Sequence, residues 1–270
     1  MGIREDRIFI SKALTLAEAG EGAVSPNPKV GCVLVKNGKI IGEGYHKKFG
    51  GKHAEVVAIQ NAGSGLDGST AYINLEPCCI EGKTPPCTKA LVENKIKKVV
   101  ISMLDPNPKI KGKGVQELKK NGIEVLSGVF EIQARELNKG FIKWITKGIP
   151  WVIGKAAQSF NGYLGMDSSS QTRITNQQCK EDVHRLRSGV DCVLVGRQTI
   201  LTDDPELTVR DIAGRSPKRA VLDSRLSLTQ SCQIFEQIEP ETIVLHSNVI
   251  KNIKSKEGIK YLGVRENKNG

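Results

Sequence analysis

His53-Ala54-Glu55, followed by Pro77-Cys78 and then Cys87, sets one imidazole, one carboxylate and two thiols within a short length of chain. One His and two Cys can supply three ligands to a zinc ion and leave the fourth position to water, which separates a catalytic zinc site from a closed structural one. Glu55 stands two residues after the His, close enough to move a proton without ligating the metal. The chemistry such a set performs is activation of water as a nucleophile.

Each residue alone has a blander reading. A single His is usually an ordinary polar side chain, and a free Cys often behaves as a small buried hydrophobe. In this order and spacing they match the H-x-E…P-C pattern of zinc deaminases, in which water attacks an amino-bearing ring carbon. One spacing departs from it. The general signature has C-x-x-C, yet Glu81 stands three residues after Cys78, and the next thiol beyond Cys78-Cys79 is Cys87. Either a longer loop brings Cys87 to the metal, or Cys79 competes for it.

The elements that must position these groups alternate along the chain. Apolar side chains at helical spacing predict a helix over 7–19, with Gly20 as its cap. Strands are expected over 30–35 and 40–45, joined by the Asn37-Gly38 hairpin signal. A helix over 53–61 carries His53 and Glu55 in its first turn. A strand over 71–75 leads into Glu76-Pro77-Cys78, and Cys87 opens a helix to Glu93. Both ligand clusters are thereby expected at helix N-termini, where partial positive charge favours thiolate. Strands over 99–103 and 123–126 flank a Lys-rich helix, a single closing helix covers 131–145, and 146–150 reads as a linker. The second half starts with a strand over 151–157. A helix over 177–187 and strands over 191–196, 219–223 and 242–246 follow, so a mainly parallel sheet is expected. It holds no GxGxxG, so no dinucleotide site follows from a phosphate loop.

The 270 residues suffice for two domains, 1–147 and 148–270. No apolar stretch is long enough to span a membrane, and the N-terminus lacks the apolar run of a signal peptide. Seven cysteines without a regular framework point to a reducing, cytoplasmic setting. The formal charge is +11; residues 1–147 carry 23 basic and 15 acidic side chains, and 148–270 carry 17 and 14. Lys95, Lys97, Lys98, Lys119 and Lys120 are scattered, and aromatics make up only 4% of the chain, too few for a base-stacking surface. A solvated Lys-rich face is therefore expected, with no nucleic-acid or membrane partner; its field would attract a phosphorylated small molecule.

The thiol loop, Leu75-Glu76-Pro77-Cys78-Cys79-Ile80-Glu81-Gly82-Lys83-Thr84-Pro85-Pro86-Cys87, resembles a segment of the bifunctional riboflavin-biosynthesis deaminase/reductases. So do Pro26-Asn27-Pro28-Lys29-Val30-Gly31-Cys32, Gly42-Glu43-Gly44-Tyr45-His46, Asp105-Pro106-Asn107-Pro108 and Leu137-Asn138-Lys139-Gly140-Phe141. The resemblance implies a cytidine-deaminase-like three-layer domain followed by a dihydrofolate-reductase-like α/β domain. It implies zinc on His53, Cys78 and Cys87, with Glu55 as the proton carrier. Asn27, His46, Lys83 and Thr84 would hold the pyrimidine substrate and its phosphate. In the second half, stretches 190–196, 199–205 and 207–210 resemble the family's NADPH-dependent reductase. Ala157, Thr199, Asp203 and Ser224 match its cofactor contacts, and Arg187, Leu207 and Arg210 match those that hold the ribosyl or ribityl phosphate. Arginine suits that task because its fork donates paired hydrogen bonds.

The chain departs from the family at several positions. Cys79 and Ile80 replace a Ser and a substrate-holding His; Asn161 replaces Asp; Gln171 and Arg173 replace Ser and a cofactor-contacting Trp. The sequence ends at Gly270, short of the family's usual length and before its Glu-Gly-Gly segment. An incomplete second domain without measurable reduction is expected on that basis, with uncovered apolar strand faces near Val193–Val195 that favour a homo-oligomer. The resulting expectation is zinc-dependent deamination of a phosphoribosylaminopyrimidine, with ribosyl-to-ribityl reduction by NADPH as the second activity. A nucleoside or tRNA-base deaminase, and a non-catalytic zinc-stabilised scaffold, are the competing readings.

Overall fold

The computed structural model describes residues 3–81, 85–165, 171–251, 253 and 256–265. The chain divides into two compact units, Met1–Ile153 and Gly154–Gly270.

The first unit opens with α1 (Ile3–Glu18), which buries Ile10, Ala13 and Ala17 along one stripe. Strands β1 (Gly31–Lys36) and β2 (Lys39–Tyr45) form a hairpin. Its two-residue turn puts both Asn37 and Gly38 at positive φ, 51° and 74°, the conformation an Asn-Gly pair accommodates at little cost. The chain continues through α2 (Ala54–Ala62), β3 (Thr70–Leu75), α3 (Cys87–Glu93), β4 (Lys98–Met103), α4 (Lys113–Lys120), β5 (Glu124–Ser127), α5 (Glu131–Leu137) and α6 (Lys139–Lys147). The sheet order is β2-β1-β3-β4-β5; β1 is antiparallel to both neighbours, while β3, β4 and β5 run parallel.

Alternation along the strands sends Cys32, Leu34, Ala71, Ile73, Val99 and Ile101 to one face, where they meet α2, α3 and α4. Val33, Val35, Tyr72 and Val100 go to the other, under α1. This is a three-layer α/β/α unit whose central strands are apolar on both faces. Helix α2 lies directly on β2, because a Cβ on Gly42 or Gly44 would stand 2.4 or 2.5 Å from the carbonyl oxygens of Ala58 and Ala54. That contact fixes the start of α2, which carries His53 and Glu55.

Two expectations for this unit change. The closing helix is two helices, α5 and α6, broken at Asn138. Asn138 is 2% exposed, and its side chain accepts from Lys29 N–H (2.8 Å) and donates to Lys29 C=O (3.0 Å). Lys98 is not a solvated surface lysine, since it pairs at 3.2 Å with Asp6, which is 2% exposed.

The second unit contains α7 (Gln177–Ser188), β6 (Cys192–Gly196), α8 (Arg197–Asp203), β7 (Lys218–Leu222), β8 (Thr242–Ser247) and β9 (Ile259–Val264). All four strands are parallel, in the order β6-β7-β8-β9. Ile200, Leu207, Val221, Ile234, Phe235 and Val244 form the core on one face. On the opposite face Leu194 is 54% exposed and Leu222 47%. The strand expected over 151–157 is absent: residues 151–159 have no regular structure and pair with no strand among the described residues. An apolar, extended segment becomes a strand only when a neighbour takes its backbone hydrogen bonds. Helix α8 and strand β9 were not foreseen in the sequence.

Candidate metal centre

His53 is the N-cap of α2, in extended conformation (φ −72°, ψ 159°), and makes no side-chain capping bond, which leaves its imidazole free for another partner. Cys78 lies in the loop after β3 rather than at a helix N-terminus, and Cys87 is the first residue of α3. The ligand atoms of His53, Cys78 and Cys87 all lie within 4.8 Å of one another. His53 Nδ1 is 3.2 Å from Cys87 Sγ and 3.5 Å from Cys78 Sγ. A tetrahedral zinc with its usual bonds to nitrogen and sulfur sets such a pair about 3.5 Å apart, so this donor set fits the ion. Cys79 is outside the group. Burial and the charges of Glu117 and Glu76 push its thiol up.

Cys78 drops to about 4, chiefly because Cys87 hydrogen-bonds to its sulfur and His53 adds another bond; Cys87 is pushed up by that same contact and by burial. Glu55, in the first turn of α2, is only 3% exposed. Burial raises its carboxyl above the ordinary range, and the charge of Cys78 acts in the same direction.

Beside this centre His46, 3% exposed, stands 5.6 Å from His53 with the rings nearly perpendicular. The Lys52 carbonyl can only accept, so His46 Nδ1 carries the hydrogen of their 3.0 Å bond. Its Nε2 then accepts from Asn27 Nδ2 at 3.1 Å. This leaves the Asn27 carbonyl oxygen available to a substrate donor. Lys83 and Thr84 lie outside the described residues.

Three further buried polar residues hold this region and were not singled out in the sequence. Asn74, fully buried in β3, accepts from Gly31 N–H (2.8 Å) and donates to Lys29 C=O (2.9 Å). With Asn138 it clamps the segment that bears Asn27. Glu76, 3% exposed, receives backbone N–H groups from beyond β4. Asp105, 5% exposed, is pushed up to about 6, first by burial and then by the charges of Glu76 and Cys78. The available signal was polarity inside an apolar run, since buried polar groups are kept where they are bonded.

In the second unit Thr199 and Asp203 lie one turn apart on α8, directly after β6, and Ser224 follows the end of β7. They share the carboxyl edge of adjacent parallel strands, where open α/β sheets bind ligands. Asp203 and Ser224 are exposed. Ala157 lies in the irregular stretch, and no hydrogen bond among the described residues ties it to the other three. Arg187 donates to the Thr208 carbonyl, and burial and the charge of Arg210 lower its pKa. Arg210 is exposed, with its N–H bonded to His184 Nδ1 at 3.1 Å. Leu207, between these segments, is buried at φ 59°, a left-handed conformation a leucine rarely adopts. The three residues expected at the phosphate are thus brought onto one local frame.

Residues 3–103 match the cytidine and deoxycytidylate deaminase zinc-binding region, and residues 150–264 match the RibD C-terminal domain. The riboflavin biosynthesis protein RibD of Aquifex aeolicus is 43% identical over 265 residues, which is 97% of this chain and 74% of that protein. RibD of Escherichia coli is 41% identical over 246 residues, 86% of this chain and 67% of the relative. Among solved structures, the diaminohydroxyphosphoribosylaminopyrimidine deaminase/5-amino-6-(5-phosphoribosylamino)uracil reductase of Thermotoga maritima superposes with a TM-score of 0.90 at 39% identity, covering 96% of this chain and 74% of that one. Acinetobacter baumannii RibD gives 0.89 at 39% identity, covering 99% and 76%.

Proposed function

This chain belongs to the RibD family of riboflavin-biosynthesis deaminase/reductases, and from that premise we propose that its first unit, about residues 1–147, carries the deaminase and the remainder the reductase. The deaminase substrate is a phosphorylated small molecule, the 2,5-diamino-6-(5-phosphoribosylamino)pyrimidin-4-one. The observation that carries this reading is the convergence of His53, Cys78 and Cys87 beside the buried Glu55.

Zinc bound by those three residues supplies Lewis acidity and makes water a competent nucleophile near neutral pH. The reaction adds water to the amino-bearing ring carbon, and the carbon–nitrogen bond breaks to release ammonia. Glu55 takes the water's proton on a carboxylate oxygen, delivers it to the ring nitrogen and later protonates the departing amine. Its raised pKa suits a group that must hold and return a proton. Asn27, oriented by His46, presents its carbonyl oxygen to a donor on the pyrimidine. Lys83 and Thr84 are assigned to the substrate's base and phosphate by family position.

In the second unit, Thr199, Asp203, Ser224 and Ala157 are assigned to NADPH. Arg187, Leu207 and Arg210 are assigned to the phosphate of the ribosyl group that is reduced to ribityl. Thiolate ligands that must stay reduced support a cytoplasmic setting, and the exposed Leu194 and Leu222 support association of copies of the chain. Ammonia release tests the first assignment. The zinc-loaded chain is expected to deaminate the phosphoribosylaminopyrimidine and not cytidine; the reverse preference favours a nucleoside deaminase, and no turnover with either favours a scaffold.

A further inference from the structure

The step from Cys78 to Cys87 is much longer than a C-x-x-C turn, so the chain between them does not by itself set the distance between the two thiols, and closing a longer loop costs more entropy. Helix α4, which contributes no ligand, is tied to the chain beside both thiols. Two residues before Cys78, the carboxylate of Glu76 accepts the backbone N–H groups of Asp105 (3.0 Å), Gly112 (2.9 Å) and Val115 (3.1 Å). Gly112 is the N-cap of α4 and offers no side chain, so Glu76 caps this helix from the loop after β3. The approach is close enough that a Cβ on Gly114 would stand 2.2 Å from the Pro77 carbonyl oxygen. Further along α4, Glu117 accepts the hydroxyl of Thr88 at 3.0 Å. Thr88 follows Cys87, and its N–H binds the Cys78 carbonyl at 3.1 Å.

We propose that α4 is a brace for the metal centre, with Glu76 fixing the Cys78 side and the Glu117–Thr88 bond fixing the Cys87 side. All three are positioning residues and act only through the thiols. A carboxylate suits position 76 because it is acceptor-only and meets three backbone donors, that of Asp105 buried and those of Gly112 and Val115 part-buried. The inference rests on the reading that His53, Cys78 and Cys87 hold zinc.

The test is zinc affinity of the full chain by competition with a chromogenic chelator, together with the thiolate-to-metal absorption of the cobalt-substituted protein. Thr88→Val and Glu117→Ala are each expected to weaken zinc binding about tenfold, within the range found when groups that orient metal ligands are removed. The double variant is expected to lose no more than either single one, because both break one bond. Glu117→Gln, which keeps an acceptor oxygen, is expected to stay near wild type. Glu76→Gln should weaken binding further and shift the cobalt band; if it does not fold, the Thr88 and Glu117 variants still decide. Tyr72→Phe, which removes a 2.9 Å bond to Asp6 on the opposite face of the sheet, is the control for general destabilisation and should leave zinc affinity unchanged. Wild-type affinity in Thr88→Val and Glu117→Ala, or an equal loss in Tyr72→Phe, overturns the brace. A wild-type chain that binds no zinc overturns the metal-site reading itself, and the brace with it.

Discussion

In the first unit the candidate groups sit on backbone held from several directions: Glu55 and His46 are almost fully buried, and Asn74 and Asn138 clamp the segment carrying Asn27. In the second unit Asp203, Ser224 and Arg210 are exposed at strand ends and loops, over a sheet that leaves Leu194 and Leu222 about half exposed on one face. A centre that must hold a metal with thiolates and carry a proton needs desolvation and fixed geometry, because that environment sets the pKa values of its groups. A phosphate or cofactor edge can be built from exposed donors that meet a charged ligand arriving from solvent. The contrast predicts that substitutions in the first unit abolish function, while those in the second weaken binding in steps.

The largest effect is expected for Cys87→Ser, which should lose the zinc and all deamination, while Cys79→Ser keeps both. Metal analysis of the two purified variants decides this, and the opposite pattern would reassign the ligand. Glu55→Gln comes next: it should retain zinc and lose at least about 100-fold in deamination rate, the lower range for general acid–base catalysis. Normal turnover in that variant would remove Glu55 from the mechanism. A smaller change is expected across the comparison. Arg210→Ala should weaken binding of the deaminated phosphoribosyl compound about tenfold by calorimetry, the scale of a lost charged hydrogen bond, without altering deamination. Equal effects on both activities would contradict independent sites.

The smallest effect concerns stability. The folded pKa of Asp105, about 6, is above that of an unfolded aspartate, so between the two values the folded chain binds more protons. Stability contributed at this position is therefore full at low pH and declines as pH rises from about 4 to about 6. Asp105→Asn, uncharged throughout, should raise the unfolding free energy at neutral pH by on the order of 2 kcal/mol, seen as a higher melting temperature, with no difference below about pH 4. A variant less stable than wild type at neutral pH would show that the carboxylate's bonds outweigh its burial.

The sequence made the metal centre legible because its chemistry is concentrated: His53, Glu55, Cys78 and Cys87 have few other reasons to occur in that order. Their elements were legible too, since β3 and β4 are apolar runs and the Asn37-Gly38 turn is a local signal. What supports the centre was not legible. Glu76, Asn74 and Glu117 act through partners distant in sequence, and nothing in their own spacing marks the bond they make. The break at Asn138 is of the same kind, because local helical periodicity continues across it and its side chain bonds Lys29, a partner distant in sequence. At 151–157 the apolar run suggests a strand that the structure does not contain, since pairing depends on a neighbour and not on local composition. In the second unit, single polar residues after strands carry little pattern, so only the family resemblance singled them out.

The central claim is that one zinc at His53, Cys78 and Cys87, working with Glu55, deaminates the pyrimidine. Titrating zinc into metal-free protein while following ammonia release tests it most directly. The account predicts activity that rises in proportion to occupancy and stops at about one zinc per chain, with Glu55→Gln binding the same zinc yet staying inactive. Full ammonia release from the metal-free chain, or from zinc-loaded Glu55→Gln, would contradict it.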